Sequence, residues 1–200
     1  YGFIFDSKRK RFVKEIKGGM QVFDLLFYAY PNEILVKPVF KIKLHLIEDI
    51  YHQVTQKEKS YNEETQTLGN SLGQIMKHYD NSDRIGTTED ISYKIENEDD
   101  IEILKKVIPE RFKEYILPYF NKNSSIEQVD KLLNEFPREL SIHNRPYPIR
   151  ACIAIIAARL VRNPNYNELL KIYDEETVDA NPENRKEFED LAKLLEKEEY

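Results

Sequence analysis

The chain has 200 residues, of which 40% are hydrophobic and 33% charged, and its formal net charge is −6. That length supports one well-packed core, and the acidic balance argues against bulk attraction to nucleic acid or an anionic membrane. A single cysteine, Cys152, excludes an intramolecular disulfide and a multi-cysteine metal site.

The first elements read as a β-meander. "RFVKEI" (11–16) alternates, and Gly18-Gly19 after it supplies the positive φ that a hairpin turn needs. "MQVFDLLFYAY" (20–30) is apolar at nearly every position, as expected of a strand covered on both faces over most of its length. Pro31-Asn32 marks a turn. "EILVKPVFKIKL" (33–44) then places Val36, Phe40, Ile42 and Leu44 on one side and Lys37, Lys41 and Lys43 on the other. Pro38 cannot donate to a ladder, which predicts an edge strand or a bulge there.

From Leu46 the period becomes helical, with Leu46, Ile47, Ile50 and Val54 in one stripe. Polar connectors at 56–67 and 80–90 flank "SLGQIMKHY", which fits either helix or strand, and "ISYKI" (91–95) alternates like a short strand. Asn97 followed by three acidic residues predicts a helix N-terminus, with Ile101, Leu104, Val107 and Ile108 on its apolar face. Pro109 is expected to restart a helix bearing Phe112, Tyr115, Ile116 and Tyr119. Ser124 with Glu127 reads as a capping box for 125–136, and Asn163-Pro164 and Asn181-Pro182 as two further starts. The fold class expected is α+β: an N-terminal antiparallel β-meander packed with a C-terminal multi-helix region. A single domain over 1–200 is expected, mainly sheet plus one helix in 1–95 and helical in 96–200.

The runs "GFIFDSKRKRFVKEI", "QVFDLLFYAY" and "VFKIKLHLIEDIYHQV", with "YILPYFNKNSSIEQVDKLL" much later, resemble uncharacterised bacterial domain-of-unknown-function proteins that pair an N-terminal meander with a helical C-terminal half. The resemblance covers residues 2–136. It implies no activity, cofactor or catalytic residue.

Four places carry residue types suited to chemistry. His45, Asp49 and His52 fall on one helical face with Glu48 beside them, the donor set of an N/O metal site. That face lies opposite the apolar stripe, so it reads as solvated, and no metal site is expected. The acidic clusters "ENEDD" (96–100) and "YDEET" (173–177) read as helix-end residues. The lysine row, with the basic hairpin "KRKR" (8–11), either attracts phosphate or protects a strand edge.

The fourth place is "RELSIHNRPYPIRACIAIIAARLVR" (138–162), which holds five of the ten arginines and one acidic residue. Arg138, His143, Arg145, Tyr147 and Arg150 lie in or beside a loop ahead of a helix, where guanidinium forks and helix N–H groups suit one anion. The alternative is neutralisation by flanking acidic segments. Cys152 lies in the apolar run 151–158 of this stretch and reads as a core residue. That run is far shorter than the ~20 residues that cross a bilayer. No membrane partner is expected, and with no signal peptide the expected compartment is the cytoplasm.

No P-loop, GxGxxG, GxSxG or CxxC pattern is present, and no cofactor is expected. Two functions from different classes fit: a non-catalytic soluble protein-binding or regulatory module, supported by thirteen tyrosines and the acidic balance, or an enzyme or small-ligand binder for a phosphorylated or carboxylated molecule through the Arg138–Arg150 segment. Another protein is the partner expected, and nucleic acid is disfavoured.

Overall fold

Short runs of aromatic and β-branched residues, separated by turn-forming Asp, Gly and Pro, build the sheet of the computed structural model. It describes residues 1–55, 57, 58, 61, 64–79, 91–139, 141–143 and 147–197. The fold is α+β. The strands are β1 (Ile4–Asp6), β2 (Arg11–Ile16), β3 (Gly19–Tyr30), β4 (Glu33–Leu44), β5 (Leu68–Ser71) and β6 (Tyr93–Ile95). They lie in the order β1-β2-β3-β4-β5, with β6 also beside β4. Antiparallel registers include Phe5↔Phe12, Phe12↔Phe23 and Ile34↔Ile95.

The turns follow from local chemistry. Asp6 Oδ1 accepts the N–H groups of Lys8 (3.0 Å) and Arg9 (3.1 Å), which closes the β1–β2 connection that carries the basic run. In the β2–β3 turn Ile16 faces Gly19, and Gly18 takes φ +77°, open to a residue without Cβ.

The helices are α1 (His45–Tyr51), α2 (Leu72–Tyr79), α3 (Glu98–Arg111), α4 (Leu117–Asn123), α5 (Ile126–Asn134), α6 (Tyr147–Leu160), α7 (Tyr166–Glu176) and α8 (Pro182–Lys197). A π-helical turn, Phe112–Ile116, joins α3 to α4. Among the described residues no helix is long and apolar enough to cross a membrane.

The chain divides into two compact units. Unit 1 is Tyr1–Ile42 with Gly69–Asn123, and unit 2 is Lys43–Leu68 with Ser124–Tyr200. In unit 1 the sheet buries Val22, Phe23, Val36, Phe40 and Ile42, and the helical segment buries Ile116, Tyr119 and Phe120. Edge-to-face rings hold this core, Phe40 against Tyr119 at 4.9 Å and Phe23 against Phe112 at 5.0 Å. In unit 2 every residue of α6 from Arg150 to Ala158 is buried. Helices α1, α5, α7 and α8 turn apolar faces inward, among them Ile47, Leu133, Leu169 and Leu191.

Several local expectations are corrected. β3 is buried only over its first half. β2 pairs with it no further than Phe23, and Phe27 through Tyr30 are exposed. β4 is not an edge strand, because β3 flanks one side and β5 and β6 the other. Pro38 lies past the last β6 partner, Val36, where no β6 ladder bond is lost. Helix α3 runs through Pro109 rather than restarting there. A proline cannot donate to the carbonyl four residues back, and the register widens to π just afterwards. The α5 cap is Ser125, not Ser124: its side chain accepts from Gln128 N at 3.4 Å. Asn163 Oδ1 instead closes a turn onto Asn165 N, so α7 begins at Tyr166. Residues 72–79 of the ambiguous segment form a helix, and the connector at 80–90 lies outside the described residues. The Asn97 start is a full capping box, with Asp100 Oδ2 returning to Asn97 N at 3.2 Å.

Gly73 allows a close approach to Ile91 in unit 1. A Cβ there would lie 2.5 Å from Ile91 N, a contact that only backbone movement relieves. Gly73→Ala gains about 1 kcal/mol of helix propensity, but overpacking costs about 1–3 kcal/mol. The expected outcome is a lower urea midpoint, and a raised midpoint would contradict the close approach.

Candidate functional site

The arginine-rich stretch enters α6 from a loop, and its side chains point to protein groups. Arg150, 2% exposed, donates to the carbonyls of Leu133 (2.9 Å) and Phe136 (3.1 Å) and also to that of Glu139. These carbonyls lie at and just beyond the C-terminal end of α5, where orphan acceptors and the negative end of the dipole favour a cation. Arg150 therefore terminates α5. Its guanidinium also lies 5.5 Å from the ring of Tyr147, whose hydroxyl donates to Pro137 O at 2.8 Å. Burial, and then the charge of Glu176, push the Tyr147 hydroxyl up to about 12. Arg138 bridges Glu175 and Glu176 at 2.5 Å each, on the surface. His143 is buried, and its N–H meets Ser141 Oγ at 3.2 Å. Arg145 lies outside the described residues. Arg138, Tyr147 and Arg150 are thus near one another, and both described guanidiniums are partnered within the fold.

The acidic clusters are engaged in similar ways. Asp100 closes the α3 capping box, and Asp174 accepts from Arg185 at 2.7 Å. Of the lysine row, Lys37, Lys41 and Lys43 are all half-buried.

On α1, His45 and Asp49 face water as expected, but Glu48 does not. It is buried, and Thr67 donates to its Oε1 at 2.7 Å while accepting Leu44 N at 3.0 Å. Glu48 Oε2 lies 3.7 Å from His52 Nε2, which also meets Thr65 Oγ1 at 3.1 Å. Glu48, Tyr51, Tyr61 and Thr65 line a cavity of about 100 Å³. A second buried carboxylate, Glu187 on α8, accepts from Tyr51 and Thr55, both at 2.9 Å. Burial, then the nearby Glu187, push the Cys152 thiol far up and make it a poor nucleophile. Among the described residues no group of three or more His, Cys, Asp or Glu could hold a metal.

A further concavity lies in unit 1 and was not anticipated. It encloses about 590 Å³ between one face of the sheet and α3, within the roughly 300–1,000 Å³ usual for binding sites. The sheet contributes Phe12, Phe23, Leu25, Phe27 and Val36; α3 contributes Ile101, Leu104 and Ile108 at helical spacing. Phe112, displaced by the π turn, closes one end against Phe3 (5.5 Å) and Phe23 (5.0 Å). Two charged side chains line it, Lys105 and Lys113, and both are exposed. Only Ile108 of the fourteen α3 residues is buried. An amphipathic helix that normally closes onto a sheet here stands off from it.

No family model, curated protein or solved structure matches this chain.

Two outcomes follow for unit 2. Arg150→Ala removes the donor to three carbonyls around the α5 end and is expected to cost about 3 kcal/mol in urea unfolding. Arg150→Lys recovers only part, since an ammonium cannot span the same fork of acceptors. Burial holds the His52 pKa below its usual 6.5, opposed by the Glu48 charge. The unfolded chain then binds the proton first, so stability falls as pH drops through about 6.5 until pH passes below the lowered native value. Denaturation midpoints of wild type and His52→Gln, measured from pH 7.5 to 5, should diverge in that window. Parallel curves would remove His52 from the pH response.

Proposed function

We propose that this chain is a non-catalytic, cytoplasmic protein-binding module, and that the groove between the sheet face and α3 in unit 1 is its partner surface. The observation that carries the reading is the groove that the described residues leave open between the apolar side of α3 and the exposed end of β3. Large contiguous apolar surfaces mark interaction sites in folded domains, and aromatic residues are enriched at the centre of interfaces. Tyr1 (67% exposed), Phe27 (62%) and Ile101 (40%) extend the groove onto the open surface. A small molecule in its pocket commonly has 70–90% of its own surface covered. This groove is open along its rim, and a larger partner covers both floor and rim. The acidic net charge and absence of nucleotide-binding motifs agree with a protein ligand.

Selection of a displayed peptide library on the full chain tests this. Peptides should emerge that bind the wild type and lose at least tenfold in affinity to Leu104→Arg and to Phe27→Asp, both at partly exposed positions that tolerate a polar residue. Peptides indifferent to both variants, or no enriched peptides, would reject the groove as the partner surface.

A further inference from the structure

The chemistry of the groove narrows its partner, on the premise that the groove is the binding surface. We infer that the occupant is a short amphipathic helix of about three turns, carrying two acidic residues seven or eight positions apart that meet Lys105 and Lys113.

The backbone of the occupant comes first. The β3 edge past Phe23 is not paired with β2, but the groove floor itself is a sheet face and offers side chains rather than backbone N–H and C=O groups. An extended peptide laid there would leave its own backbone polar groups against apolar carbon, at a cost comparable to lost hydrogen bonds. A helix satisfies those groups internally, and it is also the element that normally packs on a sheet face. The helical wall fixes the length. From Ile101 to Phe112 it spans about 16 Å at ~1.5 Å per residue, matching a partner of roughly eleven residues. The apolar wall positions recur at helical spacing, and a partner running alongside needs anchors at i, i+3 or i+4, and i+7.

Charge then sets the sign. The two charged lining residues are both cationic. Lys113 has no ion pair with a described residue, whereas Lys105 meets Glu102 at 2.6 Å in a pair about two-thirds exposed on each side. Such a surface pair holds a lysine weakly and exchanges partners readily. Lys14 adds a third cation beside the lining, with its Nζ 5.8 Å from the Phe3 ring. Lys105 and Lys113 are eight residues apart, about 12 Å along the helical wall, which in a parallel or antiparallel helix corresponds to acids at i and i+7 or i+8. Complementary rim charges select partners and speed encounter more than they deepen affinity.

The test uses helix-biased 15-residue peptides displayed as a library, selected on the full chain in low and moderate salt. The expected winners carry the apolar spacing and acidic residues seven or eight apart. Their affinity should fall on the order of tenfold for the Lys105→Glu, Lys113→Glu double variant, and winners with lysines in place of the acids should prefer that variant. Both positions are exposed, so the variant is expected to fold as wild type, checked by its urea midpoint. Enrichment of basic or uncharged sequences, or acidic winners indifferent to the double variant, overturns the acidic-helix assignment while leaving the protein-binding reading intact. Winners that are extended rather than helical by circular dichroism overturn it as well. If no peptide is enriched and sodium dodecanoate saturates the groove, both readings fall and the site belongs to a small amphiphile.

Discussion

A helix that is apolar on every side can exist in water only if other elements cover its whole circumference, and α6 imposes that condition on unit 2. Nine consecutive residues, Arg150 to Ala158, are withdrawn from solvent. Four of them are alanines, which let neighbouring backbones come close. Asn134 on α5 reaches the carbonyl of Ala154 at 3.0 Å, and Tyr173 on α7 reaches that of Leu133 at 2.8 Å. Once those helices close around α6, polar groups drawn in with them turn to protein partners because water is no longer there to serve, although Arg150 Nε and Glu48 Oε2 are left without a hydrogen bond. Arg150 takes the open carbonyls of α5, Glu187 takes two hydroxyls, and Glu48 takes Thr67. These arrangements follow from one requirement.

Unit 1 meets the opposite situation. Its aromatic core is closed at one end, where Phe3, Phe23, Phe112 and Phe120 interlock, and left open at the other. β3 outruns β2, and among the described residues α3 leaves Ile101 exposed and Leu104 only half-buried. The π turn matters here. It shifts Phe112 into the ring cluster and Lys113 to the groove margin, after a Pro109 whose missing N–H has already weakened the helical ladder. The ring cluster and the open groove therefore stand at opposite ends of one aromatic layer.

Local periodicity made the strands at 11–16, 20–30 and 33–44 legible, together with the Asn97 cap and the Asn181-Pro182 start, because each is set by residues within one or two turns of chain. The burial of Glu48 was not legible. Its neighbours His45 and Asp49 are solvated, and the hydroxyl that satisfies it belongs to Thr67, nineteen residues away. The arginine cluster was legible as a concentration of charge, and the Arg138 pairs with Glu175 and Glu176 fit the neutralisation by a flanking acidic segment that was its alternative reading. The carbonyls that hold Arg150 were not legible, since a sequence does not show which carbonyls a fold leaves orphaned. The groove had still less signal. Val36 and Ile101 are separated by more than sixty positions, and each alone reads as an ordinary core residue.

The two candidate regions differ in what folding left undone. At the start of α6, the described guanidiniums already meet carbonyls and carboxylates, and an anion entering there would have to displace bonds that hold α5 and α7 in place. In the groove, among the described residues, only the exposed Lys105–Glu102 pair has to be exchanged. The cost of arranging its apolar side chains is borne by the core beneath them, and a partner gains by covering carbon that water now covers. On the proposed reading, lysines at the margin would discriminate among apolar partners that would otherwise bind alike, since an unmatched charge at the rim opposes a basic helix while leaving the floor unchanged.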